Sequence, residues 1–227
     1  MLPLWDSHKL KRPGTATQVL VTLNLLVFGM EMILNFGNPA LFDRLMGRFS
    51  LEPNAWWTHR QVLSAWIPVL TSMFLHGGLA HAAGNVWFLW IFGRSLEDHM
   101  GTFRFVLIYF LSGLGAAAAQ TFTDLSSTVP MIGASGAISG VMGAYLVLLS
   151  GRWIVALIPW VVPVVPIPAV VFLVLWFGIQ LFNGVGELRH EPEGGVAWWA
   201  HVGGFAVGVA GAKLLGTASS PKRKSKR

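Results

Sequence analysis

Residues Gly133–Gly143 read G-A-S-G-A-I-S-G-V-M-G, and residues Ala200–Gly211 read A-H-V-G-G-F-A-V-G-V-A-G. In the first stretch small residues recur every fourth position, at Ser135, Ser139 and Gly143, with Gly136, Gly140 and Ala144 on the neighbouring row. In the second, Gly204, Gly208 and Gly211 continue the helical face that carries His201. Residues three and four apart share one side of a helix. Rows of small side chains on that side let two helices approach closely inside a bilayer, where packing is the main attraction between them. Each stretch therefore reads as a helix built to be approached, and each bears one polar side chain near its start. The strings serve packing alone equally well, so a structural and a chemical reading both stand here.

The remainder of the chain says that the surroundings are lipid. Of 227 residues, 54% are hydrophobic and only 11% charged, and the mean hydropathy is +0.60. A soluble domain carries charge at about a quarter of its positions, so the class is an all-α, multi-span integral membrane protein. The 26 glycines lie within apolar stretches, which fits helix packing and not a low-complexity chain. With no cysteine, disulfides, thiolate nucleophiles and thiolate metal sites are all excluded.

A bilayer span needs about 20 apolar residues as a helix, and roughly 17 can suffice. Six candidates run approximately over Ala16–Asn35, Ala82–Leu96, Phe103–Thr121, Ser135–Leu149, Ile167–Asn183 and Val196–Leu215. The first reads as an uncleaved signal anchor. Trp153–Pro168 is apolar but holds Pro159, Pro163, Pro166 and Pro168, a spacing that no continuous helix tolerates, so a loop or re-entrant segment is expected. Between the first two spans, Leu41, Phe42, Leu45, Met46 and Phe49 recur at helical spacing with Asp43, Arg44 and Arg48 opposite them, which predicts an amphipathic helix lying at the interface. The whole chain, 1–227, reads as a single membrane domain with short basic tails at about 1–15 and 217–227.

Six spans put both ends on one side. With the ends inside, the inner segments hold Lys9, Lys11, Arg12, Arg94, Arg104, Arg152, Lys213 and the five basic residues of the terminal run from Lys222 to Arg227. The outer segments hold only Arg44, Arg48, Arg60 and Arg189. The positive-inside rule then predicts cytoplasmic termini in an inner or plasma membrane. The net charge of +6 thus records membrane orientation, and no nucleic-acid partner is expected.

Polar side chains within spans are costly unless satisfied, so each is a functional candidate. In F74-L-H-G-G-L-A-H-A-A-G-N85, His81 and Asn85 are four apart on one helical face, and His76 lies just before them. Ser135 sits at a helix start, where unpaired amides and the positive dipole end favour an oxyanion. If the glycine faces of the fourth and sixth spans pack together, the Ser135 hydroxyl comes within reach of the His201 ring, a nucleophile beside a general base. No intramembrane carboxylate is placed as a third member, so the economical unit is a dyad. His81 and Asn85, with the Ser135 amide, could supply oxyanion donors. Gly133, Gly136, Gly204 and His76 fall into supporting places around them. No cofactor and no metal is expected, since no carboxylate and histidine cluster of metal-ligand type occurs in the spans. The glycine-rich, polar segment Gly184–Ala197 leads directly into His201 and reads as a mobile cap.

At these residues the sequence resembles the rhomboid family of intramembrane serine proteases. The resemblance rests on F-L-H-G-G-L-A-H-A-A-G-N-V-W-F-L-W-I-F-G ending at Gly93, G-A-S-G at Gly133–Gly136, W-F-G-I-Q ending at Gln180, and A-W-W-A-H-V-G-G-F ending at Phe205. It implies a six-helix bundle with an interfacial first outer loop, Ser135 as nucleophile, His201 as base, and His81 and Asn85 at the oxyanion hole. It also implies a water-filled cavity open to the extracytoplasmic side, and transmembrane protein substrates arriving laterally through the membrane lipids. Two positions depart from the family pattern. Trp66-Ile67 stands where many relatives have Trp-Arg, and Ser139 stands where many have an aromatic residue packed on the catalytic ring, so support for His201 is expected from Trp198 or Trp199. A catalytically silent relative is the next reading. A small transporter is a further one, which would show internal repeats and paired broken helices that this sequence lacks.

Overall fold

The computed structural model describes residues 1–158, 162–188 and 195–215. Helices occupy all six expected spans. The first, α1 (Thr15–Gly37), leads into the outer connection, which holds α2 (Pro39–Phe49), α3 (Pro53–His59) and α4 (Ile67–Thr71). A sharp turn of 81° separates Leu63–Phe74 from the next span. That span comprises α5 (Leu79–Phe88), a π turn at Leu89–Gly93 and α6 (Arg94–Met100). It is followed by α7 (Thr102–Thr123), α8 (Ser135–Leu148), α9 (Ala169–Glu187) and α10 (Trp198–Leu215). Among the described residues, α1, α7 and α9 are each long and apolar enough to cross a membrane unaided. At 14 residues α8 is shorter than these. It is about 21 Å long against a hydrocarbon core of about 30 Å, so it begins inside the bundle, at Ser135.

The glycine rows do what their spacing predicts. A side chain on Gly204 would fall on the carbonyl of Gly136, one on Gly208 on the carbonyl of Gly140, and one on Gly143 on the carbonyl of Phe205. Backbone thus meets backbone between α8 and α10. On its other side α8 meets α7, where Gly140 faces Ser112 and Gly136 faces Ala116. This places α8 at the centre, with every residue from Gly136 to Tyr145 buried.

A buried carboxylate ties α1 to α6. Glu97 accepts from the Ala16 and Thr17 amides at 2.9 and 2.8 Å, the Thr17 hydroxyl at 2.8 Å and the Thr102 hydroxyl at 2.9 Å. It satisfies amides at the start of α1 that no helical carbonyl can reach, and its charge suits that dipole end.

Trp153–Pro168, expected as a loop or re-entrant segment, contains two strands, β2 (Trp153–Ile158) and β3 (Val162–Pro168). The first residues of the chain, expected to be a tail, form β1 (Leu2–Asp6). The sheet is antiparallel with β2 in the middle, pairing Pro3 with Ala156 and Ala156 with Val165. The reason is local. Proline forbids a helix here, while β-branched residues between the prolines favour extended backbone, and extended chain in an apolar setting must find a pairing partner for its amides.

The amphipathic helix falls on α2, and none of its residues is buried against the bundle. The rest of the outer connection is held by aromatic contacts. Trp56 packs edge-on to Trp66 (5.1 Å between centroids) and to Phe122 of α7 (6.3 Å), and the Arg60 guanidinium lies 3.7 Å from the Trp57 ring centroid. Leu51 and Met131 exchange backbone hydrogen bonds of 3.1 and 2.8 Å, tying this loop to the segment that leads to Ser135. These contacts anchor a loop that lacks an arginine at Ile67.

Candidate active site

The Ser135 hydroxyl oxygen lies 2.8 Å from His201 Nε2. The other ring nitrogen, Nδ1, lies 2.7 Å from Gln180 Oε1 on α9. The Gln180 amide is oriented by its own NH2 group, which donates to the Trp176 carbonyl at 3.2 Å. With the oxygen turned to the ring, His201 Nδ1–H must be the donor, which leaves Nε2 with a free lone pair. Ser135 Oγ–H therefore donates to Nε2, the arrangement in which a hydroxyl can lose its proton as it attacks a carbonyl. Gln180 thus has the place of an orienting third group. The sequence offers no carboxylate for that position, and a neutral amide occupies it.

His201 is also packed by rings. Trp198 is edge-on at 6.2 Å between centroids, and Trp176 of α9 lies at 5.9 Å with planes inclined by 38°. Trp199 faces elsewhere, its indole N–H donating to the Gly184 carbonyl at 3.1 Å. Ser139 carries no ring to pack on the imidazole. Its hydroxyl donates to the Ser135 carbonyl at 2.6 Å, within its own helix. Just before His201, the Ala200 amide at the open start of α10 donates to Gln120 Oε1 of α7 at 3.0 Å. Gln120 therefore fixes where α10 begins.

His81 and Asn85 converge on Gly133. The Gly77 amide donates to His81 Nδ1 at 3.4 Å, so the proton resides on Nε2. A side chain placed on Gly133 would come within 2.6 Å of that Nε2 and 3.6 Å of Asn85 Nδ2. Gly133 also has φ of 119°, a conformation open to glycine and strained for other residues, and its amide donates to the Ser72 carbonyl at 2.8 Å. Two donors thus face a small space two residues before Ser135. Asn85 is buried, and its Nδ2 has no hydrogen-bond partner. An unmatched buried amide is costly, and this one is directed toward Gly133.

His76 is fully buried behind His81, its ring edge-on at 5.4 Å, with neither ring nitrogen partnered. Its amide donates to the buried Glu31 carboxylate of α1 at 3.1 Å. That bond fixes the turn from which α5, and with it His81 and Asn85, departs. The Glu31 contact was not legible, because a single acid in a 23-residue apolar helix names no partner.

A cavity of about 1110 Å3 opens onto the pair, lined by His81, Ser135 and His201, by Gln120 and Thr123 of α7, and by Asp124 and Glu187. Asp124, in the loop after α7, is held below the usual carboxylate range by the Ser126 hydroxyl and amide, so the mouth carries a fixed negative charge. The expected cap Gly184–Ala197 begins on α9, and its centre, 189–194, lies outside the described residues.

Fold and site together define a polytopic helical membrane protein with a serine and a histidine paired in a cavity. A profile of the rhomboid domain matches residues 63–218, and the chain belongs to the rhomboid family. It is 34% identical over 140 residues to the rhomboid protease GluP of Bacillus subtilis, covering 61% of this chain and 25% of that protein. It is 26% identical over 213 residues to RHOMBOID-like protein 1 of Arabidopsis thaliana, covering 83% of this chain and 50% of the relative. It is also 30% identical over 171 residues to inactive RHOMBOID-like protein 8 of the same plant, covering 65% and 48%. The chain spans between a quarter and half of the length of these three relatives, one of which is named a protease and another inactive.

Proposed function

We propose that this chain is an intramembrane serine endopeptidase in which Ser135 is the nucleophile and His201 the general base. What supports this reading is the 2.8 Å contact between Ser135 Oγ and a His201 Nε2 whose lone pair is freed by Gln180. As Oγ bonds to the scissile carbonyl carbon, its proton passes to Nε2. The carbonyl oxygen, now an anion, accepts from Asn85 Nδ2 and His81 Nε2–H. The imidazolium then gives its proton to the leaving amine, the C–N bond breaks, and a water activated by the same ring releases the acyl group from Ser135. Water reaches the serine through the cavity.

Transmembrane protein segments are the proposed substrates, arriving laterally from the lipid. The basic asymmetry supports an orientation with both ends in the cytoplasm and the cavity on the opposite side of an inner or plasma membrane. Because protonated imidazole has no lone pair for the hydroxyl proton, activity declines as pH falls through the titration of His201.

The test is cleavage of a transmembrane substrate by purified protein in proteoliposomes. Ser135→Ala and His201→Ala should each abolish it, and the double change should cost little more, because members of one catalytic unit are strongly non-additive. Cleavage by Ser135→Ala at the wild-type rate would overturn the proposal.

A further inference from the structure

The three-stranded sheet has no part in the chemistry above, and it is apolar on both faces. Inward, Ile154 and Ala156 are fully buried and belong to the same core as Phe92, Tyr145 and Phe172. Outward, Leu2, Trp5, Trp153 and Val164 are 42–55% exposed. A sheet with one face on a core and the other in water alternates apolar with polar residues. Here the only polar strand residue is Asp6, and its carboxylate accepts from the Tyr145 hydroxyl at 2.7 Å.

The sheet lies alongside the bundle and not beyond its end. The Pro3 carbonyl accepts from the indole N–H of Trp87 at 2.5 Å, and the His8 ring meets Asp98 at 2.7 Å. Trp87 and Asp98 are about 16 Å apart along the helix axis, so β1 runs beside the half of that span remote from His81. Polar and basic side chains collect at one end, with Ser7, His8, Lys9, Lys11 and Arg12 after β1 and Arg152 before β2. Trp5 and Trp153 stand at that end, as tryptophans do at headgroup level.

The outer edge of β3 also suits a dry setting. The Ala169 amide donates to the Arg152 carbonyl at 2.8 Å, so alternation turns positions 166 and 168 away from β2, and both are proline. At those two positions the edge has no N–H group to be left unpaired, and orphaned N–H groups are rare in buried backbone. Beyond it, exposed Val170 and Val171 of α9 continue the apolar surface.

We infer that this sheet is a lipid-contacting element that re-enters the membrane half remote from Ser135, its outer face against acyl chains of that leaflet. The inference rests on the membrane bundle and is independent of proteolysis. Because the chain has no cysteine, Val164→Cys, Leu2→Cys and, as a reference at the basic end, Lys9→Cys can each carry one environment-sensitive fluorophore in proteoliposomes. Quenching is then compared between phospholipids brominated on the acyl chains and iodide present on both sides. Labels at 164 and 2 should be quenched several-fold more by the brominated lipid than the label at 9, and should be shielded from iodide. Iodide quenching at 164 and 2 equal to that at 9 would place the sheet in water, and quenching by neither agent would mean that protein covers it. Either result overturns the inference. Leu2→Cys reads the same surface should Val164→Cys fail to fold.

Discussion

Ser135 and Gln180 reach the same imidazole from two walls of opposite construction. The first belongs to α8, in which ten consecutive residues are buried and glycine after glycine sets backbone against backbone. The second belongs to α9, where only five of 19 residues are buried and Leu175, Ile179 and Phe182 are 50, 53 and 79% exposed. Small residues bring dispersion contacts to their closest range, and no side chain there can yield by changing rotamer. Large exposed side chains on α9 face lipid and can exchange neighbours at little cost. Ser135 therefore sits on the closely packed wall, and Gln180 on the sparsely packed one.

The largest contrast should come from one substitution made on both walls. Gly204→Leu must displace the Gly136 carbonyl, whereas a side chain on Gly178 of α9 meets nothing within 4 Å. Gly204→Leu should cost about 3 kcal/mol or more or prevent folding, and Gly178→Leu should be neutral or stabilising by up to about 1 kcal/mol, as read by thermal unfolding in detergent. Equal effects would remove the distinction between the walls.

Asn85→Ala should lower kcat about a hundredfold or more, as loss of one oxyanion donor does, with stability within about 1 kcal/mol. A large stability loss with unchanged turnover would make Asn85 a packing residue. Gln180→Ala should reduce kcat by about ten- to hundredfold, less than the full contribution of a general base, with KM little changed. Gln180→Glu keeps the acceptor and should recover much of that loss. Its carboxylate favours the imidazolium, so the acid limb of the pH profile should move to higher pH. Ser139→Ala removes a hydroxyl bonded only to the Ser135 carbonyl, and should change stability by no more than about 0.5 kcal/mol and leave turnover near wild type. A severe loss there would mean that Ser139 has a role its contacts do not express.

The two glycine helices were legible because a four-residue period of small side chains states both the secondary structure and the partner. The expected approach of Ser135 to His201 was conditional on those two faces meeting, which they do. Gln180, Gln120, Glu31 and Glu97 were not, since each is a lone polar group in an apolar helix whose partner is fixed only by tertiary packing. The sheet was missed for another reason. A run that is apolar on both faces has no alternation to reveal a strand, and the strand that completes the sheet lies about 150 residues earlier, at Leu2–Asp6. The basic run near Arg227, which weighed most in the orientation, lies outside the described residues.

The central claim is that Ser135 is a nucleophile because His201 accepts its proton, and covalent labelling reads this directly. Wild-type protein in membranes is treated with a fluorophosphonate probe and the modified residue is located by mass spectrometry, in parallel with His201→Ala. The account predicts a single adduct on Ser135 in the wild type and its loss in His201→Ala. An adduct on another residue, or undiminished labelling of Ser135 without the histidine, would contradict it.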